Sequence, residues 1–385
     1  MRATRSMVCS FFWLVGCASI AANVRSCTVY DPPSWSPDSQ RLAFVATKGV
    51  SGEDWLPKTF AVVVYDLASN KLPQVIKSDL PLAKPCWSPD GSTIAFLQVL
   101  RGASVEEKEG LRLSIVLYDY QQRVTRELLA VASSQLPNIE QEVRDDPQQY
   151  HPLLKAPLLW TPDGKGIVYS NAEFLGVSEG EEVLSSGVYE IDLAEKEPRL
   201  LVEGAVAYGF SPDGKWLACQ EAFASAVFVL SRDGNRRREV YERELEAMAD
   251  LAWFADSRSV LLVEPFAPGT DDVLLRVQVE SGEKEVVREK KGEVRWPACS
   301  PDGSKIAFCS VPPTGAKGNA VIVLDLKTGL ERVVSAGPKA GVENLAPVWS
   351  PDRKWIAFRV SKLGWRGSSE HLRITSCDGK EVRMR

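Results

Sequence analysis

The sequence predicts an all-β protein made of seven copies of one unit. The clearest copy is residues 87–96 (WSPDGSTIAF). The other copies begin at Trp35, Trp160, Phe210, Trp253, Cys299 and Trp349. A second apolar hairpin follows each copy, as in residues 61–67 (AVVVYDL) before a turn at 69–71. Four short strands in each of several repeats of roughly 40–50 residues are typical of a β-propeller, so we expect seven four-stranded antiparallel blades.

The residues of the repeated phrase have local reasons to be there. Ser-Pro-Asp-Gly suits a type I turn, because proline presets φ and glycine takes the last position without a Cβ penalty. We therefore interpret the aspartates as turn residues: Asp38, Asp90, Asp163, Asp213, Asp302 and Asp352. The aromatic residues are expected to pack between blades: Trp35, Trp87, Trp160, Phe210, Trp253 and Trp349. In the sixth copy Cys299 takes this place, with Trp296 as a substitute.

The N-terminus has the pattern of an export signal. Arg2 and Arg5 precede a short apolar run at 7–14, far below the roughly 20 residues that span a bilayer. Residues 14–17 (LVGC) resemble the lipobox of bacterial lipoproteins. This predicts a signal peptide at 1–16, a lipidated Cys17, a tether and first strand at 17–29, and a propeller at 30–385 with an insertion at 131–159. The alternative is a plain signal peptide cut near residues 20–22, which would release a soluble secreted protein.

The repeats resemble the WD-repeat-like "PD" repeat of TolB-type periplasmic proteins and of prolyl-oligopeptidase and dipeptidyl-peptidase propellers. The resemblance covers residues 30–385 and implies the fold, whereas function is set by sites rather than folds. TolB-type proteins place an α/β domain before a six-bladed propeller, but this chain has seven motifs and no room for that domain. The peptidases add an α/β-hydrolase domain, and because the repeats run to the last residues of this sequence, we expect no such domain after blade seven.

Few residues suit catalysis or metal binding. Only His151 and His371 are present, whereas seven-bladed polysaccharide lyases with such repeats use several histidines around a metal. Residues 176–180 (GVSEG) match a nucleophile elbow but fall in a loop between strands, and that motif needs a strand-to-helix turn. The net charge of −5 argues against a nucleic-acid partner. We therefore expect no catalytic residues, metal or cofactor.

The face opposite the tight turns, here called the long-loop face, carries the long connections at 46–60, 99–111, 171–186, 264–272 and 311–319. Candidate binding residues lie on this face and on the innermost strands, because loops on a rigid scaffold usually carry binding sites. By position these are Lys84, Lys155, Tyr208, Arg295, Trp296, Glu343 and Asn344. In an oxidising compartment we consider a disulfide between Cys27 and Cys377 across the ring closure, with two free thiols as the alternative. A further open question is whether residues 24–30 join blade seven to close the ring.

These observations favour a non-catalytic, lipid-anchored extracytoplasmic propeller that faces the periplasm or the cell surface. It would bind an envelope protein, or a cell-envelope polymer, through its long-loop face. The alternative is an enzyme of the glycan lyase or hydrolase type with its site at the channel mouth.

Overall fold

A computed structural model gives the fold of the chain. It describes residues 27–29, 32–48, 59–101, 111–132, 157–171, 187–221, 226–242, 250–264, 272–290, 292–311, 318–335, 340–364, 367–379 and 381–382. The strands in these ranges form seven antiparallel sheets, and the predicted seven-bladed propeller is confirmed. Within the same ranges, no helix is long and apolar enough to cross a membrane.

Each blade is built from consecutive strands, and the strand nearest the central channel comes first. Blade one contains β1 (Cys27–Val29), β2 (Ser34–Trp35), β3 (Arg41–Lys48), β4 (Thr59–Asp66) and β5 (Gln74–Ser78). Blade two contains β6 (Leu82–Trp87), β7 (Thr93–Arg101), β8 (Leu111–Asp119) and β9 (Val124–Ala132). Blade three contains β10 (Leu159–Trp160), β11 (Gly166–Asn171), β12 (Gly187–Asp192) and β13 (Pro198–Glu203).

The remaining blades repeat this order. Blade four contains β14 (Ala205–Phe210), β15 (Trp216–Glu221), β16 (Ala226–Ser231) and β17 (Arg237–Glu242). Blade five contains β18 (Leu251–Trp253), β19 (Ser259–Glu264), β20 (Val273–Gln278) and β21 (Lys284–Glu289). Blade six contains β22 (Val294–Cys299), β23 (Lys305–Ser310), β24 (Ala320–Asp325) and β25 (Glu331–Val333). Blade seven contains β26 (Val342–Trp349), β27 (Trp355–Gly364), β28 (Gly367–Ser376) and β29 (Glu381–Val382).

The first strand of the chain belongs to blade one. β1 pairs with the far end of β3, where Cys27 lies opposite Lys48, and β2 pairs with its near end, where Trp35 lies opposite Leu42. Blade seven takes all four of its strands from the C-terminal part of the chain. Side-chain packing between blades seven and one therefore closes the ring, rather than a strand shared between them.

Each of the seven blade interfaces holds one apolar cluster. Successive side chains of a strand point to opposite faces, so a single strand contributes to two interfaces. On β3, Leu42 and Phe44 pack with Ala357 of blade seven, whereas Ala43 packs with Ile94 of blade two. The closing interface is thus built in the same way as the other six.

The repeated turns close through a network of their own. The Ser88 hydroxyl donates to Asp90 at 2.5 Å, and Asp90 also accepts the backbone N–H of Ser92 at 3.0 Å. The same Ser or Thr bond, at 2.5–2.7 Å, reaches Asp38, Asp163, Asp213, Asp302 and Asp352. In the fifth copy Phe254 replaces the serine, yet Asp256 still accepts the N–H of Ser259 at 3.0 Å. The aspartates of the turn face therefore accept hydrogen bonds from their own turns.

The residue after each turn aspartate has a left-handed backbone and lies against the preceding blade. Four copies have glycine there, with φ of 70–71°: Gly91, Gly164, Gly214 and Gly303. A Cβ on Gly214 would lie only 2.8 Å from the Pro162 ring of blade three. Glycine is therefore required there by both conformation and space.

Three copies replace this glycine with a side chain that bonds to the preceding blade. The Ser39 hydroxyl accepts the N–H of Asp352 at 2.9 Å, and Ser257 accepts that of Asp213 at 2.9 Å. Arg353, the third, donates to the Asp302 carboxylate at 3.0 Å. These bonds offset the cost of the left-handed conformation and tie neighbouring turns together.

The motif tryptophans lie at the blade interfaces. Four indole N–H groups each donate to a carbonyl of the preceding blade at 3.0–3.3 Å: those of Trp35, Trp160, Trp253 and Trp349. Trp87 is buried, and its indole nitrogen has no hydrogen-bond partner. Phe210, which has no indole, packs in the cluster between blades three and four.

Candidate functional site

The innermost strand of several blades pairs irregularly with the second strand, and the irregularity lies between the long-loop face and the motif aromatic residue. The pairing of the first two strands of a blade shifts register between Ala83 and Cys86 in blade two, and at equivalent places in blades four, six and seven. Such bulges add an unpaired residue and re-aim its side chain, and they are common beside functional sites. The bulges therefore mark the part of the channel where side chains leave the interblade packing.

Proline gives a local reason for three of these bulges. Lys84, Trp296 and Ala346 each precede a proline and have positive φ angles of 53°, 51° and 47°. Proline has no N–H to donate to the neighbouring strand, so the ladder is interrupted there. A left-handed conformation at a residue with a side chain costs about 1–3 kcal/mol and persists only where its surroundings impose it.

Blade six presents two exposed side chains of the predicted set, Arg295 and Trp296. Trp296 is 36% exposed, so it does not substitute for Cys299 as an interblade wedge, and that expectation was wrong. The physical reason is the bulge, which turns the indole out of the interface, while Cys299 itself packs in the cluster between blades five and six. Arg295 is exposed and forms an ion pair with Glu293 at 2.5 Å.

The other predicted residues divide between the channel and the blade interfaces. Lys84 is half-buried at its bulge, and Glu343 is exposed on β26. Tyr208 is half-buried, and its hydroxyl donates to Gln220 at 2.8 Å. Lys155 lies outside the described residues.

Asn344 does not belong to an open site. It is buried, its backbone N–H donates to the Asn319 side chain at 2.6 Å, and its amide donates to the Asn319 carbonyl at 2.8 Å. These bonds join blades six and seven. Asn344 therefore uses its polar groups across the interface between the blades, and its role in binding stays a prediction.

Asp250 is the residue that the sequence reasoning missed. It lies directly before β18, and its carboxylate accepts the backbone N–H of Trp296 at 3.3 Å. It stands three positions before Trp253, as Lys84 stands before Trp87 and Trp296 before Cys299. Alignment of the copies on their aromatic position would have found it.

The two cysteines considered for a disulfide lie at opposite ends of the blades. Cys27 pairs opposite Lys48, at the long-loop end of β3. Cys377 follows the end of β28 at the turn face, where its N–H donates to the Lys354 carbonyl at 3.2 Å. Cys377 is a free thiol. The two positions are separated by the length of a strand, so the Cys27–Cys377 bond is not formed.

The remaining described cysteines are buried or half-buried and unreactive. Burial raises the pKa of Cys86 and Cys299 to about 12, and it also raises the pKa of Cys219 and Cys309. High thiol pKa values keep these groups protonated and poorly nucleophilic. They act as small apolar residues.

The described part of the chain contains no group of three His, Cys, Asp or Glu residues placed to hold a metal ion. His371 lies exposed on β28, and partial desolvation with the charges of Lys362 and Arg373 lowers its pKa. His151, residues 1–26, the GVSEG segment and most of the insertion at 131–159 lie outside the described residues.

Comparison with known proteins agrees with a propeller and does not assign a family. No protein-family profile matches the chain. An uncharacterized peptidase, YuxL of Bacillus subtilis strain 168, is 24% identical over 224 residues, which are 54% of this chain. The match spans only 31% of that relative's length.

Solved structures share the fold at low sequence identity. An oligogalacturonate lyase in complex with manganese aligns with a TM-score of 0.63 and 13% identity, over 91% of this chain and 89% of that one. The propeller domain of the Pyrococcus furiosus Trilobed protease, described as having an open velcro topology, aligns at 0.60 and 13%, over 95% and 97%. TolB from Acinetobacter baumannii aligns at 0.46 and 17%, over 90% and 63%. The match to the Trilobed protease propeller therefore confirms the repeat resemblance to peptidase propellers as one of fold.

Proposed function

We propose that this chain is a non-catalytic, extracytoplasmic propeller that binds a protein partner at the channel mouth of its long-loop face. The bulged inner strands are the observation that carries the proposal. They hold Lys84 and Trp296 in a costly left-handed conformation, and the indole of Trp296 stays exposed. Such strain at a site is consistent with a functional role for the side chain it positions.

The opposite face supports the same proposal by contrast. Its aspartates bond to the hydroxyls and N–H groups of their own turns, as Asp90 does with Ser88 and Ser92. Those polar groups are already satisfied and have less to offer a ligand. A partner would gain more from the side chains at the channel mouth.

Site-specific photo-crosslinking in the native envelope tests this binding role. A photoreactive phenylalanine analogue replaces Trp296 or Lys84, and in the control it replaces Leu330, which is 70% exposed beside a tight turn. We expect mass spectrometry to identify the same protein partner from both channel positions and not from position 330. Capture from position 330 alone, or from none of the three, would contradict the proposal.

The extracytoplasmic location rests on the lipobox-like LVGC at 14–17. We propose that Cys17 is lipidated and anchors the propeller to a bacterial membrane. Metabolic labelling with a fatty-acid analogue should label the wild type and not Cys17→Ser. Equal labelling of both would show that another residue carries the lipid, and an unlabelled wild type would favour the plain secretion signal.

A further inference from the structure

Two arginines at the outer edge of blade four share one indole ring. Arg236 directly precedes β17, and Arg238 lies two positions further along. Their guanidinium carbons lie 5.5 and 5.8 Å from the ring centroid of Trp216, which packs against the apolar cluster between blades four and five. Arg236 is exposed, and Arg238 is half-buried. Both guanidiniums are therefore held on the side of the outer strand that faces blade five.

The arginine between them faces the other way and has carboxylate partners. Successive side chains of a strand point to opposite faces, so Arg237 faces blade three. It lies over the ring of Phe228, in the cluster between blades three and four. Its guanidinium pairs with Glu221 and, at 3.6 Å, with Glu239. The charge of Arg237 is thus balanced within the blade.

The other described arginines that lie over aromatic rings also have carboxylate partners. These pairs are Arg41 with Asp66 at 4.0 Å, Arg276 with Asp256 at 2.7 Å and Arg288 with Glu331 at 2.9 Å. Within the described ranges, Arg236 and Arg238 form no ion pair.

The aspartate close to Arg236 is engaged in its own turn. Asp233 accepts the Ser231 hydroxyl at 2.5 Å and the N–H of Asn235 at 3.1 Å. The hydrogen bond from Ser231 is the main cause that lowers the pKa of Asp233 to about 2, and the charge of Arg236 contributes less. Asp233 therefore does not take the place of the carboxylates that pair with the other ring-stacked arginines.

Two guanidiniums held over one ring repel each other, and an oxyanion between them would remove this cost. Guanidinium groups donate forked hydrogen bonds to carboxylate and phosphate oxygens. A carboxylate has one charge and two oxygens, which match one guanidinium, as Asp256 matches Arg276. A phosphate ester carries up to about two charges and three acceptor oxygens, so it can bond to two guanidiniums at once.

We propose that Arg236 and Arg238 form a site for a phosphate group, carried either by an anionic lipid headgroup or by a soluble phosphate ester. The site lies on the outer edge of blade four, away from the channel mouth, and it does not depend on the proposed function. The net charge of −5 opposes general attraction of anions, so binding has to come from this local pair of cations.

Ligand-observed NMR titration with glycerol 3-phosphate tests the site. Succinate is the contrasting probe, because both ligands carry about two negative charges slightly above neutral pH. The wild type should bind glycerol 3-phosphate more tightly than succinate. Arg236→Gln and Arg238→Gln should each weaken this binding about fivefold, the loss expected for one exposed charge pair.

Arg237→Gln is the matched control, because it removes an equal charge from the intervening position on the opposite side of the strand. It should weaken binding by less than about twofold, since the charge that it removes is already paired. Urea unfolding should show that all three variants remain folded.

A second arm separates the two sources of phosphate. Wild type and variants are sedimented with vesicles of phosphatidylcholine that contain phosphatidic acid. Vesicle binding that requires Arg236 and Arg238 would identify a lipid headgroup, and binding of glycerol 3-phosphate alone would identify a soluble ester. The site is wrong if the wild type binds neither probe, if succinate binds as tightly as glycerol 3-phosphate, or if Arg237→Gln loses as much binding as the other two variants.

Discussion

The turn face and the channel mouth use the same left-handed backbone region in opposite ways. At the turns, four of seven copies have glycine, and Gly214 leaves no space for a Cβ beside Pro162. At the bulges of β6, β22 and β26 no copy has glycine, and the residues are Lys84, Trp296 and Ala346. The turn position touches the preceding blade and is constrained by packing. The bulge position borders the channel, where its side chain differs from blade to blade.

The largest expected effect is at a turn glycine. Gly214→Ala should destabilise the protein by about 2–5 kcal/mol, because the left-handed conformation and the clash with Pro162 both oppose a Cβ. Gly282→Ala is the matched control, since φ is +70° and no atom lies within 4 Å of the added Cβ. It should cost only about 1–2 kcal/mol, from conformation alone. Urea unfolding measures both, and equal losses would mean that interblade contact does not constrain the turns.

A second pair of variants tests the interblade indoles. Trp160 donates to the Cys86 carbonyl at 3.1 Å, whereas the buried indole nitrogen of Trp87 has no partner. Trp160→Phe should therefore cost about 1–2 kcal/mol more than Trp87→Phe, which removes an unsatisfied N–H. Urea midpoints of the two variants provide the measurement. A smaller loss for Trp160→Phe would contradict a stabilising role for the indole bonds.

A third variant tests the carboxylates of the turn face by pH. Partial desolvation opposes ionisation of Asp163, but hydrogen bonds from Thr161 and Arg232 outweigh it and lower the pKa to about 2. A lowered pKa stabilises the fold above the unfolded value of about 4 and loses this effect as the pH falls toward 2.

Asp163→Asn should therefore reduce the free energy of unfolding at pH 7. Because the side chain is 36% exposed, solvent screening limits the loss to about 1 kcal/mol. The gap to the wild type should narrow at pH 3 and almost close at pH 2. A gap of the same size at pH 7 and pH 3 would show that ionised Asp163 does not stabilise the turn.

The sequence predicts the turn face well because its chemistry is local. Ser88, Pro89, Asp90 and Gly91 are adjacent in the chain, so their roles in a turn follow from their order. The number of blades follows from counting such phrases. Because the tight turn recurs at the same place in every copy, it also identifies which face of the propeller carries the turns.

The channel mouth is harder to predict because its contacts join distant residues. Asn344 donates a hydrogen bond to Asn319, which lies 25 residues earlier in the chain. Trp296 donates one to Asp250, which lies 46 residues earlier. A bulge also changes which way a side chain points, and spacing alone therefore assigned Trp296 to the wrong place. The proline after Trp296 is the one local signal of that bulge.

Trp296→Gly tests most directly whether the channel mouth serves binding rather than stability, and it has the smallest expected effect on unfolding. Relief of the left-handed strain should roughly offset the greater freedom of glycine in the unfolded chain. We expect the free energy of unfolding to change by less than about 0.5 kcal/mol, while photo-crosslinking of the partner from position 84 falls. A variant that unfolds much more readily, or that crosslinks the partner from position 84 as efficiently as the protein with Trp296, would contradict the account.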